Sequence, residues 1–229
     1  MSTLTGHQDD TAPSPQLSGI ADRFVAARRA GAALEGFPGT VPDDLVTAYR
    51  DASGDERLLG PIFARHFWNA TGGSMPIPVF VGGFGAVEAE YVLRLEADAP
   101  DDKLDWTPDE AAALPSTLFI GVEVASSPLA TINQLGPRVV VSDFGNNNGL
   151  LLGAEIADWT SLDEAQLLAE TFIEGASVGS GGAERLPGGL RTAFAFALSR
   201  SARRGRPLKA GEYIATGNAT GIHDIAAGQ

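Results

Sequence analysis

An α+β fold is predicted by three features of this 229-residue sequence: strict apolar–polar alternation over residues 87–95, a second extended apolar run over 118–125, and helical periodicity near both ends of the chain. In the first run Val87, Ala89, Tyr91, Leu93 and Leu95 fall on one side and Glu88, Glu90 and Arg94 on the other, the period-two pattern of a half-buried strand. At the ends, apolar residues recur every three or four positions, as on one face of a helix.

The elements follow in order. Residues 1–18 are rich in Ser, Thr, Pro, Asp and Gln and poor in large apolar groups, so they bury too little to offset their ordering entropy; a disordered tail is expected there, with one domain over 19–229. Ile20, Phe24 and Ala27, with Asp22, Arg23, Arg28 and Arg29 between them, make an amphipathic helix ended near Gly31. After the turn Phe37-Pro38-Gly39, Pro42-Asp43-Asp44 opens a second helix through Tyr49 that stops at Ser53-Gly54, with proline and acids where a helix start favours them. An aromatic-rich segment, 58–68, and the loop Thr71-Gly72-Gly73-Ser74 come next. Pro76 and Pro78 permit only edge or loop conformations until Gly82-Gly83-Phe84-Gly85 leads into the alternating strand.

In the second half, Thr107-Pro108-Asp109-Glu110 reads as a capped helix start, with Thr107 as the cap. Residues 118–125 form the second strand, and Arg138-Val139-Val140-Val141-Ser142 reads as a third. The run from Asp143 to Gly149 is a Gly/Asn loop. Residues 165–177 are extended with a turn at Glu174-Gly175, and Gly179 to Gly182 is a flexible loop. Residues 192–204 form a helix with a basic last turn, Tyr213 to Ala215 a short strand, and Thr216 to Gly221 a small-residue loop able to offer hydroxyls and amides to an anion.

Composition removes several classes of function. Sixteen basic against 29 acidic residues give a net charge of -13, which argues against nucleic acid as a partner. With no cysteine, disulfides, thiolate nucleophiles and zinc–thiolate centres are excluded, so a metal would need oxygen or histidine ligands. No run of eighteen apolar residues and no leader-like N-terminus is present, so the expected location is cytoplasmic, with no membrane partner.

Glu88 and Glu90 point the same way, with Cα atoms separated by two strand rises, roughly 6.6 Å, a spacing that lets both meet one hard cation or simply wet an exposed face. Glu123 stands alone in an apolar strand and needs a partner, either a metal shared with the other two or a buried arginine. His66, between Arg65 and Phe67, is either a packed structural residue or a proton donor.

Taken together, Glu88-x-Glu90, Val122-Glu123-Val124-Ala125-Ser126-Ser127, Ser142-Asp143-Phe144-Gly145-Asn146-Asn147 and Thr216-Gly217-x-x-Thr220-Gly221 resemble the fumarylacetoacetate hydrolase superfamily, in its 2-keto-4-pentenoate hydratase and 4-oxalocrotonate decarboxylase branch. The resemblance implies a mixed, rolled, barrel-like β-core with flanking helices, and Mg²⁺ or Mn²⁺ bound by Glu88, Glu90 and Glu123. It also implies that Ser126, Asp143 and Thr216 line the pocket of a small 2-oxo or 2-hydroxydienoate acid, and that the chain forms a homo-oligomer. The activity implied is hydration of a 2-hydroxy-2,4-dienoate in aromatic-compound catabolism. The alternatives are decarboxylation of an oxalocrotonate-like acid or carbon–carbon hydrolysis of a diketo acid, and, in another class, a catalytically impaired homologue acting as a partner subunit or ligand-binding module.

Two departures stand out. Hydratases of this branch carry a glycine-aromatic-lysine segment whose lysine handles the proton; here residues 49–57 contain no lysine, and Lys103 and Lys209 match no motif, which leaves His66 or Arg65 as the substitute. Relatives also continue into further strands past the position of Gln229, so the expectation is that the last strands are missing, that an edge of the sheet is left open, or that a neighbouring subunit covers it.

Overall fold

The computed structural model describes residues 15–42, 57–70, 72 and 75–229. The expected second helix beyond Pro42 and most of the Thr71–Ser74 loop lie outside these residues, as do residues 1–14 of the expected tail. Residues 15–18, assigned to that tail, are instead the first turn of helix α1, Pro15–Ala30. The apolar positions of α1 explain this: Ile20 and Phe24 are buried against Leu129, Ile132 and Val139, and that anchor is enough to order a polar first turn.

Strand β1, Phe67–Asn69, is short, whereas β2, Phe84–Leu95, runs twelve residues through the middle of the molecule. Helix α2, Pro108–Ala113, starts with the capping box the sequence announces: Glu110 N donates to Thr107 Oγ1 at 3.3 Å and Thr107 N to Glu110 Oε2 at 2.8 Å. β3, Ser116–Ser127, is the antiparallel partner of β2 along its whole length, from Phe84 opposite Ser127 to Leu95 opposite Ser116.

The expected strand at 138–142 is helical. Residues Pro137–Val140 form a short helix, α3, and the chain continues as a 3-10 turn that is broken at Asp143, Phe144 and Gly145, whose backbone angles are not helical. Gly136, at φ 85°, reverses the chain and Pro137 sits at the first helical position, while Val139 is fully buried against α1; these tertiary and local effects override the modest strand preference of three valines.

β4, Asn147–Ile156, completes the central ladder. β5, Leu168–Ile173, and β6, Ala176–Gly182, form a separate hairpin around Glu174 and Gly175, both at positive φ, as a two-residue turn requires. Gly179 to Gly182, expected as a loop, is thus part of a strand. Its glycines serve close approach: a Cβ at Gly181 would lie 2.1 Å from the Ala219 carbonyl oxygen and one at Gly179 2.5 Å from the His223 ring. Helix α4, Leu190–Arg203, has Glu164 accepting from the amides of Leu190 and Arg191 at its start. β7, Tyr213–Asn218, extends three residues past the expected strand and takes in Thr216 and Gly217; β8, His223–Asp224, follows.

Six strands make one mixed sheet in the order β1-β4-β3-β2-β7, with β8 also on β2; β1–β4 is parallel and the other pairings are antiparallel. Among the described residues the sheet does not close into a barrel. Tyr91, Leu93 and Leu95 of β2 pack with Leu118, Leu190, Phe194 and Leu198, so one face is covered by α4. On the other face Val92, Phe119, Leu150 and Leu152 pack under Ile62 and Phe67. Glu88, Glu90 and Glu123 share this second face, beyond the end of its apolar patch.

Candidate metal centre

The β2–β3 register puts Glu88 directly opposite Glu123, and Glu90 opposite Gly121, which has no side chain to fill the space between them. This face is not wetted as an amphipathic strand's would be: Glu88 is 8% exposed and Glu90 2%. Burial, reinforced by the charge of Glu123, pushes the Glu88 carboxyl up to about 7, while a hydrogen bond with the Asn218 side chain opposes the shift. Glu90 is raised well above the usual carboxylate range by burial and by its two glutamate neighbours, and Glu123 is raised by burial. A side-chain hydrogen bond between Glu90 and Glu123 raises Glu90 further and opposes the rise at Glu123.

The neighbours of these carboxylates are neutral. Gly217 N donates to Glu90 Oε2 at 3.0 Å and Asn147 Nδ2 to Glu123 Oε1 at 2.9 Å. Among the described residues no lysine or arginine pairs with any of the three, so the buried-arginine alternative for Glu123 is not what the structure shows. Two buried carboxylates and a third, Glu123, that is partly buried, with no cationic side chain among their partners, are a donor set that fits a hard divalent ion. They do not form a closed cage: no group of three His, Asp or Glu among the described residues is gathered at metal-ligand spacing. Glu88 opens onto a cavity of about 370 Å³ whose walls include Leu58, Val140 and Ile222 on the apolar side and Asn133 and Asn146 on the polar side.

The other expected site residues fall in two groups. Thr216 belongs to the acidic site through the backbone: its hydroxyl donates to the Tyr91 carbonyl at 2.8 Å, fixing β7 so that the next amide, Gly217, reaches Glu90. Ser126 and Asp143 gather elsewhere, around Arg28. Ser126 Oγ donates to the Phe84 carbonyl at 2.6 Å and accepts from Phe80 N at 3.1 Å, and both Asp143 carboxylate oxygens are taken by the Arg28 guanidinium. His66 stacks on Trp68, 5.9 Å between ring centres, and bonds to the backbone of Asn148. Burial, then Arg65 and Arg28, hold its imidazole below the usual range, against an opposing hydrogen bond with the Asn148 backbone.

Asn147, Asn218 and Arg28 went unremarked as site residues in the sequence. The Asn146-Asn147-Asn148 run reads as turn chemistry, Asn218 sits among small loop residues, and Arg28 reads as one of several solvated charges on a helix. The strand register reveals what the two asparagines touch, and the docking of α1 what Arg28 touches.

No family model and no curated protein matches the sequence. Solved structures do match: 4-oxalocrotonate decarboxylase from Pseudomonas putida G7 complexed with magnesium and adipate, at 20% identity and a TM-score of 0.53, over 70% of this chain and 56% of that one. The same decarboxylase complexed with calcium and acetate matches at 20% identity and a TM-score of 0.52, over 71% of this chain and 56% of that one. The chain thus spans little more than half the length of the enzyme it matches, and the fold likeness holds over 70% of this chain.

Proposed function

We propose that Glu88, Glu90 and Glu123 hold a divalent cation, Mg²⁺ or Mn²⁺, and that the chain belongs to the fumarylacetoacetate hydrolase superfamily as a lyase acting on a small 2-oxo acid in aromatic-compound catabolism. The observation that carries this reading is the set of three carboxylates on one sheet face, Glu88 and Glu90 buried and Glu123 partly buried, with no cationic side chain among their partners. The fold likeness supports it, because the matching decarboxylase belongs to that superfamily and was solved with magnesium or calcium. When bound, the cation would supply Lewis-acid stabilisation of charge developing on the substrate's 2-oxygen. The chain's own part is to bury and orient the carboxylates, through Asn147, Asn218 and the Gly217 amide, and to offer the substrate the cavity beside Glu88.

Within this class, decarboxylation of a 4-oxalocrotonate-like acid is favoured over hydration of a 2-hydroxydienoate, since the fold match is to a decarboxylase. The position of the lysines supports a second reading, an impaired homologue that binds metal and acid without turnover. Lys103 is paired with Glu110 and Lys209 with Asp101, both at the surface, and neither bonds to the three glutamates. The deciding experiment follows CO₂ release from 4-oxalocrotonate and loss of the diene absorbance of 2-hydroxypenta-2,4-dienoate, with and without Mg²⁺, beside calorimetric Mg²⁺ titration. Metal-dependent CO₂ release supports the decarboxylase, metal-dependent loss of the diene supports the hydratase, and binding without either supports the impaired homologue. No divalent binding at all refutes the metal centre.

A further inference from the structure

Arg28 lies on α1, yet its side chain is only 10% exposed and touches three other segments. Nε and Nη2 hold the two Asp143 carboxylate oxygens, the latter at 2.9 Å; Nη2 also donates to the Ser126 carbonyl at 3.0 Å, and Nη1 to Asn148 Oδ1 at 3.3 Å. The rings of Phe80 and Phe144 flank the guanidinium, 5.5 and 5.7 Å from its centre. One side chain therefore ties the end of β3, the Asp143 turn and the start of β4 to one point.

The segment so tied is irregular in two ways. Phe144, Gly145 and Asn146 are consecutive left-handed residues, at φ 56°, 71° and 54°, a conformation that is strained for a phenylalanine and persists only where its surroundings impose it. Next, the β3–β4 register shifts: Val124 pairs with Gly149 but Ala125 with Asn147, leaving Asn148 as an extra residue. In regular pairing, with Leu150 opposite Glu123, alternation would put Asn148 on the glutamate face and Asn147 behind the sheet. The bulge at Asn148 returns Asn147 to the glutamate face, where its Nδ2 reaches Glu123 Oε1 at 2.9 Å. The bulged residue is held from both sides, by Arg28 on its Oδ1 and by its own Nδ2 donating to the Pro78 carbonyl at 2.7 Å.

We propose that Arg28 is a positioning residue for the acidic site: by fixing the Asn148 bulge and the left-handed turn before it, it aims Asn147 at Glu123, so that the docking of α1 sets the orientation of that carboxylate. The consequence for metal affinity rests on the metal reading above; the aiming of Asn147 does not. A planar fork is needed, because a lysine ammonium cannot span both Asp143 oxygens while also reaching Ser126 and Asn148.

The test has two arms on the full chain, using Arg28→Lys, Arg28→Ala, Asn147→Ala and the double variant Arg28→Lys/Asn147→Ala, with circular dichroism to confirm folding. In the metal-free protein, NMR follows the Asn147 side-chain amide. Arg28→Lys should shift that resonance and speed its exchange; an unchanged amide overturns the proposal whatever the metal result. Mn²⁺ titration forms the second arm. Asn147→Ala and Arg28→Lys should each weaken Mn²⁺ binding about 10-fold, the usual scale for groups that orient a ligand, with the double variant no weaker than either. Wild-type affinity in Arg28→Lys, or multiplicative losses in the double variant, would overturn the link to the site, and Arg28→Ala extends the same comparison if it folds. A wild-type chain that binds no Mn²⁺ refutes the metal reading alone and leaves the amide arm to decide the positioning role.

Discussion

Glu88 of β2 and Glu123 of β3 stand directly across the antiparallel ladder from one another, and no lysine or arginine among the described residues pairs with either. Like charges so placed oppose folding, typically by about 0.2–1 kcal/mol per cross-strand pair and by more when buried. Glu123→Gln should therefore raise the melting temperature of the metal-free protein at pH 8, while weakening Mg²⁺ binding more than the roughly 10-fold expected for loss of an orienting neighbour. A calorimetric scan and a Mg²⁺ titration of one sample check both halves. Loss of stability together with unchanged affinity would assign Glu123 a structural role.

The raised carboxyls give the metal-free protein an unusual pH profile. Glu88 titrates at about 7 when folded, against 4.5 for an ordinary glutamate, so the folded state binds its proton more tightly than the unfolded chain does. Its stabilising contribution is fully present below pH 4.5 and is lost as the pH rises through about 7. Glu90 and Glu123, shifted in the same direction, add to the trend. Urea midpoints of the metal-free protein should fall between pH 5.5 and 7.5, against the near-flat profile of a protein with solvated glutamates. Saturating Mg²⁺ should flatten or reverse the slope, because binding displaces the same protons.

Tyr91 carries a buried hydroxyl with no hydrogen-bond partner among the described residues, and burial pushes its phenol up to about 12. Deleting an unsatisfied polar atom removes a desolvation cost without removing a bond. Tyr91→Phe is expected to be neutral or stabilising by up to about 1 kcal/mol in urea unfolding. A loss of more than that would reveal a partner for the hydroxyl.

Gly121 faces Glu90, and a Cβ there would stand 2.6 Å from Val92 Cγ2 and 3.0 Å from the Leu151 carbonyl oxygen. Val92 is fully buried and branched at Cβ, so it has little room to turn. Gly121→Ala should cost about 1–3 kcal/mol, the range for overpacking, and thermal denaturation reads it directly.

What the sequence disclosed depended on how local the deciding physics was. The β2 alternation, the Thr107 cap and the Glu174-Gly175 turn each rest on neighbours within a few residues, and each stands as read. The Val139-Val140-Val141 run misled because its burial partner is α1, more than a hundred residues away, and the glycines of β6 misled because they answer to Ala219 and His223 rather than to their own strand. Glu88 and Glu90 were legible as neighbours from side-chain parity, whereas Glu123 joined them only through the family resemblance. The Asn147 contact was not legible, since it exists only because a bulge inverts that parity. Arg28 carried no local sign of its role, because a buried guanidinium and a solvated one look alike in a helical repeat.

β2 supplies both the hydrophobic core and the acid cluster from a single strand, Tyr91, Leu93 and Leu95 to one side and Glu88 and Glu90 to the other. Such a strand cannot be edited in length. One residue gained or lost upstream of Tyr91 in β2 would turn either the glutamates into the apolar layer or the core residues out of it, so the fold and the acidic site would fail together. Heritable change can reach the acidic site only by substitution in place. Insertions and deletions are confined to the loops, where they can reshape the mouth of the cavity and leave its chemistry intact.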